Sequence, residues 1–302
     1  MYFVRCLARR GETVLAIRYP EILDQPSRVQ EWSFDDRDAI AYALSLGLGN
    51  DPMNAGTLPF VYERGLKVVP TFPTVIAWIA DPTFASLGAD PLTALHGAQK
   101  IELHRSIELP LKVRVQGRVV DVFDKGVGRG AVMVTRHEMT DLRDGGKIAT
   151  LTTTCFARAE GGCGGSSAEQ PKPHAVPARP PDQWIEFPTR IDAAFLYRLT
   201  GDRNPLHVDP DLARRAGFDR PILHGLCSFG ICCRAVLAAY ADFDPARIAS
   251  QEARFVSPVY PGETLVVSLW RDADVISFEA RVGGRDSLVI KNGKALLRSS
   301  AG

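Results

Sequence analysis

The sequence predicts an α+β protein in which one architectural unit, an antiparallel sheet wrapped round a central helix, is used twice. Three observations carry that expectation. Gly225–Tyr240 holds a single charge, Arg234, so a helix there is apolar on nearly every face and must be surrounded by other elements. Four runs that read as strands follow it, at 252–256, 264–270, 275–282 and 288–297. Finally, Tyr42-x-Leu44-Ser45 recurs as Tyr197-x-Leu199-Thr200, an offset of 197 − 42 = 155 residues.

Each element has a local reason. The apolar helix of the second copy would be about 24 Å long, a length that a curved sheet can enclose. Ile276, Phe278, Ala280 and Val282 alternate with Val275, Ser277, Glu279 and Arg281, so that strand has one buried and one wet face. In the first copy, Ser33-x-x-Asp36 resembles a capping box opening a helix whose Ile40, Ala43, Leu44 and Gly47 share a face. Residues 107–115, 117–123, 131–137 and 148–157 read as strands, the first made an edge or a late starter by Pro110. The apolar run 68–80 is broken by Pro70 and Pro73, which is expected to leave room for an apolar ligand chain between the halves.

Thr189-x-x-Asp192 is expected to cap the helix carrying Ile191, Ala194, Phe195 and Leu199. Asp209-Pro210 reads as N-cap and first residue of a short helix ending near Gly217. Residues 159–181 are rich in Gly and Ser, then in Pro, the composition of a flexible linker passing into an extended one. The expected divisions are an extension at 1–18, a first unit at 19–158, the linker at 159–181 and a second unit at 182–302. A helix wrapped by an antiparallel sheet is the hot-dog arrangement, so the whole should be a double hot-dog.

At 302 residues, with 45% hydrophobic and 24% charged residues, the chain is long enough for two such units and ordinary for a globular protein. A net charge of +1 gives no general attraction to nucleic acid or to anionic membranes, so an anionic ligand must be held by local basic groups. No run is long and apolar enough for membrane insertion as a helix. The stretch 1–16 mixes Arg5, Arg9 and Arg10 with apolar residues but lacks the core and cleavage site of a targeting peptide, and reads as a loosely attached extension. The final Ser-Ser-Ala-Gly is not a peroxisomal address. The six cysteines include no C-x-x-C pair and no histidine at zinc spacing, which fits a reduced, cytoplasmic setting. Cys232 and Cys233 are expected to pack as small apolar side chains.

The chemistry concentrates in Gly201-Asp202-Arg203-Asn204-Pro205-Leu206-His207-Val208-Asp209-Pro210, followed by Pro221-Ile222-Leu223-His224-Gly225-Leu226. Pro205 and Gly201 exclude regular helix, and a turning loop can aim the Asp202 carboxylate and the His207 imidazole at one point. Such a pair can move protons on and off water. Any one of these residues alone reads better as a turn former or a satisfied loop histidine, whereas the whole run reads as chemistry. Asp209 reads as a cap rather than a catalyst, and His224 as a packing or capping residue rather than a base.

These motifs resemble those of the MaoC-like hydratases, in particular the (R)-specific 2-enoyl-CoA hydratases called hydratase 2. The resemblance runs on through Leu95-His96-Gly97, Asp124-Lys125-Gly126 and Arg254-Phe255-x-x-Pro258-Val259-x-Pro261-Gly262. It implies reversible hydration of trans-2-enoyl-CoA to (R)-3-hydroxyacyl-CoA, an acyl-CoA partner and a homodimer. It also implies roles for particular residues. Asp202 and His207 would activate water, with Asn204 holding that water or orienting the pair, and the Gly225 N–H would stabilise the thioester oxygen. His96, Gly97, Lys125, Arg203 and Phe255 would contact the CoA thioester, and Glu63 matches a glutamate that matters in the family.

Hydration of this kind needs no metal, flavin or nicotinamide, so no cofactor is expected. On the repeat register Leu46 stands where Gly201 does and Gly47 where Asp202 does, with no histidine near the equivalent of His207. One active site per chain is therefore expected, with the first unit holding the acyl tail. Within enzymes the alternatives are a 3-hydroxyacyl-thioester dehydratase for a branched, dicarboxylic or carrier-bound acyl group, or a thioesterase. A non-catalytic acyl-CoA-binding subunit is the alternative from another class.

Overall fold

The computed structural model describes residues 17–80 and 94–298. The expected extension at 1–18 lies almost wholly outside the described residues, as do Cys6 and the last four residues. In chain order the first copy comprises β1 (Arg28–Phe34), α1 (Asp36–Ser45), α2 (Phe72–Ala80), β2 (Ala94–Leu103), β3 (Leu111–Asp124), β4 (Ala131–Asp141) and β5 (Lys147–Ala157). The second comprises β6 (Gln183–Pro188), α3 (Ala193–Tyr197), α4 (Pro210–Arg215), α5 (Gly225–Tyr240), β7 (Ile248–Phe255), β8 (Thr264–Asp272), β9 (Val275–Val282) and β10 (Ser287–Leu297).

All ten strands form one antiparallel sheet in the order β1-β3-β4-β5-β2-β7-β10-β9-β8-β6. That order reads the same from either end once β1 is matched with β6, β3 with β8, β4 with β9, β5 with β10 and β2 with β7. The fold is a double hot-dog whose halves meet at the β2–β7 seam, from Ala98↔Arg254 to Glu102↔Ser250. Equivalent helices meet as well. Tyr42 of α1 and Tyr197 of α3, both fully buried, face each other with ring centroids 6.0 Å apart.

The core lies on the concave side, where α2 and α5 are held. Eleven of the sixteen residues of α5 are buried, as its near-absence of charge requires. Gly230 lets α5 approach its neighbours: a Cβ there would lie 2.6 Å from Leu46 Cδ2. Arg234, the one charge of α5, donates to the Leu46 carbonyl at 3.2 Å and lies over the Phe187 ring. Burial pushes its guanidinium down to about 10. Cys227, Cys232 and Cys233 are buried free thiols, and burial raises Cys233 to about 12.

Several local expectations are corrected. Residues 107–115 and 117–123 do not form two strands. They contribute to the single long β3, which starts just after Pro110 because proline has no N–H for the ladder. Ser33 lies in β1, and the capping box of α1 is built by Asp35 and Asp38 instead. Thr189 does not cap α3; its hydroxyl donates to the Glu263 carbonyl. Pro70 and Pro73 do not break a helix. Pro73 sits in the first turn of α2, where a missing N–H costs nothing, and Pro70 precedes it. Val68, Val69, Phe72, Val75 and Ile76 are buried, so the start of α2 is packed rather than loosened.

The Gly/Ser/Pro segment does not hang free. Gly162 and Gly164 donate to the Asp124 carboxylate, His174 bonds to Ser277 Oγ, and Trp270 Nε1 donates to the Arg179 carbonyl. The segment thus touches both halves. The Asp209 cap and the alternation of β9 are as expected: Asp209 accepts from the N–H groups of Asp211 and Leu212, and Ile276, Phe278, Ala280 and Val282 are all buried.

Candidate active site

The site grows from the way α3 ends. One 3-10 turn, Arg198–Thr200, leads to Gly201 at φ +148°, ψ −38°, a conformation open only to glycine. The chain then swings Asp202 inward. Asp202 Oδ1 accepts the Asn204 N–H at 3.0 Å, and Asn204 Oδ1 accepts the Leu206 N–H at 3.0 Å. That second bond caps the short 3-10 turn Pro205–His207, with Pro205 at its start. Two successive side-chain turns therefore carry the chain from the carboxylate to the imidazole. Asn204 orients Asp202 through its backbone, while its side-chain oxygen is committed to the turn.

Both catalytic candidates are buried, Asp202 at 6% and His207 at 8% exposure. His207 Nδ1 lies 2.8 Å from the Ile222 carbonyl. A carbonyl only accepts, so Nδ1 carries the proton and Nε2 presents a lone pair. Burial holds the His207 pKa below the ordinary imidazole value, opposed by the nearby Asp202 carboxylate. The residue enters a reaction neutral and able to accept a proton.

His224, read from the sequence as a packing or capping residue rather than a base, packs against this centre. Its ring stacks on His207 with centroids 3.7 Å apart and planes 28° apart, and its Nε2 lies 3.1 Å from the Asp202 carbonyl. It stands at the N-cap of α5 without a side-chain cap bond. By the same argument its Nε2 donates and its Nδ1 is left without a partner among the described residues. Burial keeps this ring well below the usual imidazole pKa. His224 thus ties the backbone that carries the carboxylate to the face of the base.

One oxygen or nitrogen from each of Asp202, His207 and His224 lies within 4.8 Å of the others. Two imidazoles and a carboxylate are a metal-binding set in composition. The ring stacking opposes that use, because lone pairs lie in the ring planes and two planes only 28° apart run side by side rather than converging on a near ion.

The donor and the walls come from α5 and the seam. The N–H groups of Gly225 and Leu226 open α5 and have no partner among the described residues. Phe255 ends β7 against Gly225, with its ring 3.4 Å from where a Cβ would stand. His96, at the start of β2, meets Phe255 edge-on at 4.8 Å and stacks on Trp78 of α2 at 5.3 Å. Burial takes His96 down to about 4, so it too is neutral. An aromatic wall therefore runs from the unpartnered N–H groups at the start of α5 to α2 of the first half.

Asp202, Asn204, His207, Gly225, Phe255 and His96 are brought together as the sequence suggested. Gly97 has a structural task beside them: it sits at the β-bulge between His96 and Ala98, against the Thr154 carbonyl. Three residues stand apart. Arg203 is exposed on the outside of the loop. Lys125 is exposed beyond β3, three strands from His96, which is about 14 Å at the spacing of paired strands. Glu63 is exposed with no hydrogen bond or ion pair to a described residue. Sequence reasoning missed Trp78 and the Ile222 carbonyl. Neither has a local signature, since each acts through a contact formed only on folding.

Residues 32–159 match the MFE-2 hydratase 2 N-terminal domain, and residues 173–292 match the MaoC like domain. The chain is 41% identical over 263 residues to the 3-hydroxyacyl-thioester dehydratase Y of Mycobacterium tuberculosis, covering 85% of this chain and 88% of that one. It is 37% identical over 272 residues to an enoyl-CoA hydratase of the same organism, covering 88% and 94%. Among solved structures, a MaoC-like dehydratase from Phytophthora capsici superposes with a TM-score of 0.83 at 31% identity, over 93% of this chain and 98% of that one. A two-part match in the order of the two halves, with relatives aligned along most of their length, places the chain in the MaoC-like hydratase family.

Proposed function

We propose that the protein is a hydro-lyase that adds water reversibly to trans-2-enoyl-CoA, giving (R)-3-hydroxyacyl-CoA. The observation that carries the reading is the buried Asp202/His207 pair with the His207 Nε2 lone pair free, beside unpartnered N–H groups at the start of α5. The water oxygen bonds to the β-carbon as one of its protons passes to the pair. Negative charge moves to the thioester oxygen, where the Gly225 N–H receives it. The pair then returns one proton to the α-carbon, so that it ends as it began. A single pair serving both carbons delivers both groups to one face of the double bond.

The proposal includes no resident cofactor or metal. The acyl tail is assigned to the side of the first half, along Phe255, His96 and Trp78. Homodimerisation is part of the same reading. Ile191, Phe195 and Leu199 are 76%, 57% and 67% exposed at four-residue spacing on and around α3, beside the exposed Leu44 of α1, an apolar area that a second copy would cover. A cytoplasmic setting is proposed from the free thiols.

A spectrophotometric assay tests the function: loss of the enone absorbance of enoyl-CoAs without release of free thiol is expected. Thiol release without hydration would make the protein a thioesterase, and inertness would make it a binding subunit. In deuterated water the α-deuteron should lie on the face that receives the hydroxyl. A second reading, dehydration of a 3-hydroxyacyl thioester, uses the same groups in reverse and is favoured by the relative of that name. The equilibrium direction with carrier-bound and CoA-bound substrates separates the two.

A further inference from the structure

The duplication gives the β2–β7 seam two ends, and only one of them carries the acid/base loop. At the other end lies a cleft of about 210 Å3, formed by the segment before α2, the end of β2 and the turn before β7. These are the counterparts of the walls of the active site. The segment before α2 stands where the approach to α5 stands, and Leu103 ends β2 as Phe255 ends β7. Phe72 opens α2 as Gly225 opens α5, but its N–H is already taken by the Val69 carbonyl at 2.9 Å, and Pro73 after it has no N–H to offer a thioester oxygen. With no carboxylate–imidazole pair in its lining, this end is disarmed for the reaction while remaining open.

Its lining is not neutral. Arg105 is balanced by Asp141 and Asp144, and Asp244 is spent capping the turn at Ala246. Lys67 and Arg298 have no carboxylate partner among the described residues. Lys67 Nζ donates to the Phe243 carbonyl at 3.0 Å. Arg298 is held by three backbone carbonyls, those of Ala246, Ile248 and Leu103. Three of its five N–H donors are thereby used and two are left, on a guanidinium whose position is fixed. Beneath these cations Leu66, Val68 and Ile107 give an apolar floor. The volume equals that of about seven liquid waters, too small for a nucleotide but enough for a short alkyl chain.

We propose that this cleft is a second, non-catalytic site that binds a small anion with a short alkyl body, of the type of a medium-chain carboxylate. Arg298 and Lys67 hold the anionic head, and the apolar floor takes the chain. The site is separate from the catalytic one, so both are occupied together.

Calorimetry on the full chain tests this with hexanoate, in the presence and absence of saturating butanoyl-CoA, a saturated thioester that cannot be hydrated. Hexanoate should bind once per chain in both cases, more tightly than hexanol and than inorganic phosphate. Hexyl phosphate serves as the arm that distinguishes a phosphate head from a carboxylate head. Arg298→Met should weaken hexanoate by at least about tenfold, that is about 1.4 kcal/mol, with turnover unchanged. Ser106→Trp should do the same: Ser106 is exposed at the mouth and makes no hydrogen bond to a described residue, so this variant keeps the fold even where Arg298→Met does not. The proposal is overturned by absence of hexanoate binding, by hexanol binding equally well, by loss of binding when butanoyl-CoA is added, or by unchanged binding in Ser106→Trp. Failure of butanoyl-CoA to bind would instead count against the catalytic reading and leave hexanoate binding in place.

Discussion

Two connections in this molecule leave equivalent helices and come to opposite uses. After α3 the chain enters Gly201–His207 and turns a carboxylate and an imidazole into the interior. After α1 it enters Leu46-Gly47-Leu48-Gly49, where Leu46 and Leu48 are buried in the core and the Leu46 carbonyl accepts from Arg234. The first connection spends its burial on polar groups that carry their own hydrogen bonds. The second spends it on apolar packing against α5. Shared architecture therefore fixes where a loop goes, and a few side chains decide whether it packs or reacts.

The largest effect should come from removing the difference at its reactive end. Asp202→Asn and His207→Gln should each lower kcat by about 10²–10⁴-fold, the usual worth of a positioned acid or base. The double variant should be little worse than the worse single one, because both serve one step. Stopped-flow traces of enone absorbance measure this, and near-normal turnover in either variant would end the assignment.

Acidification should expose the next difference, because the reactive end of the seam buries neutral histidines, two from the second half and His96 from the first. His207, His224 and His96 all have pKa values below the ordinary imidazole value, His96 at about 4. In the unfolded chain they titrate near 6.5, so between that value and their lowered values the unfolded state binds more protons. Stability is therefore full above about pH 6.5 and is lost as pH falls towards 4, by about 1.4 kcal/mol per pH unit for each histidine concerned. Urea midpoints taken across that range check it. The acid limb of kcat/KM should likewise fall below the ordinary imidazole value, since the His207 base works neutral.

Packing on the other side is tested by Gly230→Ala. In an ordinary helix this change stabilises by about 1 kcal/mol, but here the new Cβ meets Leu46, so a loss of about 1–3 kcal/mol is expected. Adding Leu46→Ala should recover part of that loss if the contact is its cause, and thermal melts of the two variants decide. His224→Phe keeps the ring stack but drops the bond to the Asp202 carbonyl, and kcat should fall about tenfold, or about 1.4 kcal/mol, with KM little changed. The smallest effect is a null one. Leu46→Gly with Gly47→Asp should create no second active site, because the Phe72 N–H that opens α2 is already bonded to Val69, Pro73 has none, and no histidine follows the loop. Active-site titration should still count one site per chain.

Much of this was legible in the chain itself. The charge-poor run at Gly225–Tyr240, the alternation of β9 and the repeated Tyr-x-Leu pair are properties of spacing, and spacing follows from the helix and strand periods. The Asp209 cap and the turning character of Gly201–Pro205 are equally local. So is the absence of an acid at Gly47. Boundaries were less legible: Ser33 carries capping chemistry but lies in β1, so Asp35 and Asp38 built the cap, whereas the Thr189 hydroxyl is bonded to the Glu263 carbonyl and α3 has no side-chain cap.

What only the tertiary structure decided are the contacts between residues far apart in sequence. The sequence determined that Asp202 and His207 share one loop, but folding the stretch before α5 against that loop is what brings the Ile222 carbonyl to Nδ1 and so frees Nε2. Likewise His224 was visible as a histidine beside a glycine, and only its stacking on His207 made it part of the centre. Trp78 joins the wall by stacking on His96, and the pairing of β2 with β7 sets that histidine against Phe255 of the other half, a chain of contacts that no local pattern encodes. Glu63, Lys125 and Arg203 also match family motifs, and the fold leaves all three exposed, outside the buried centre. Periodicity is a property of neighbours along the chain, whereas the protonation state of a buried base is set by whatever the fold places against it.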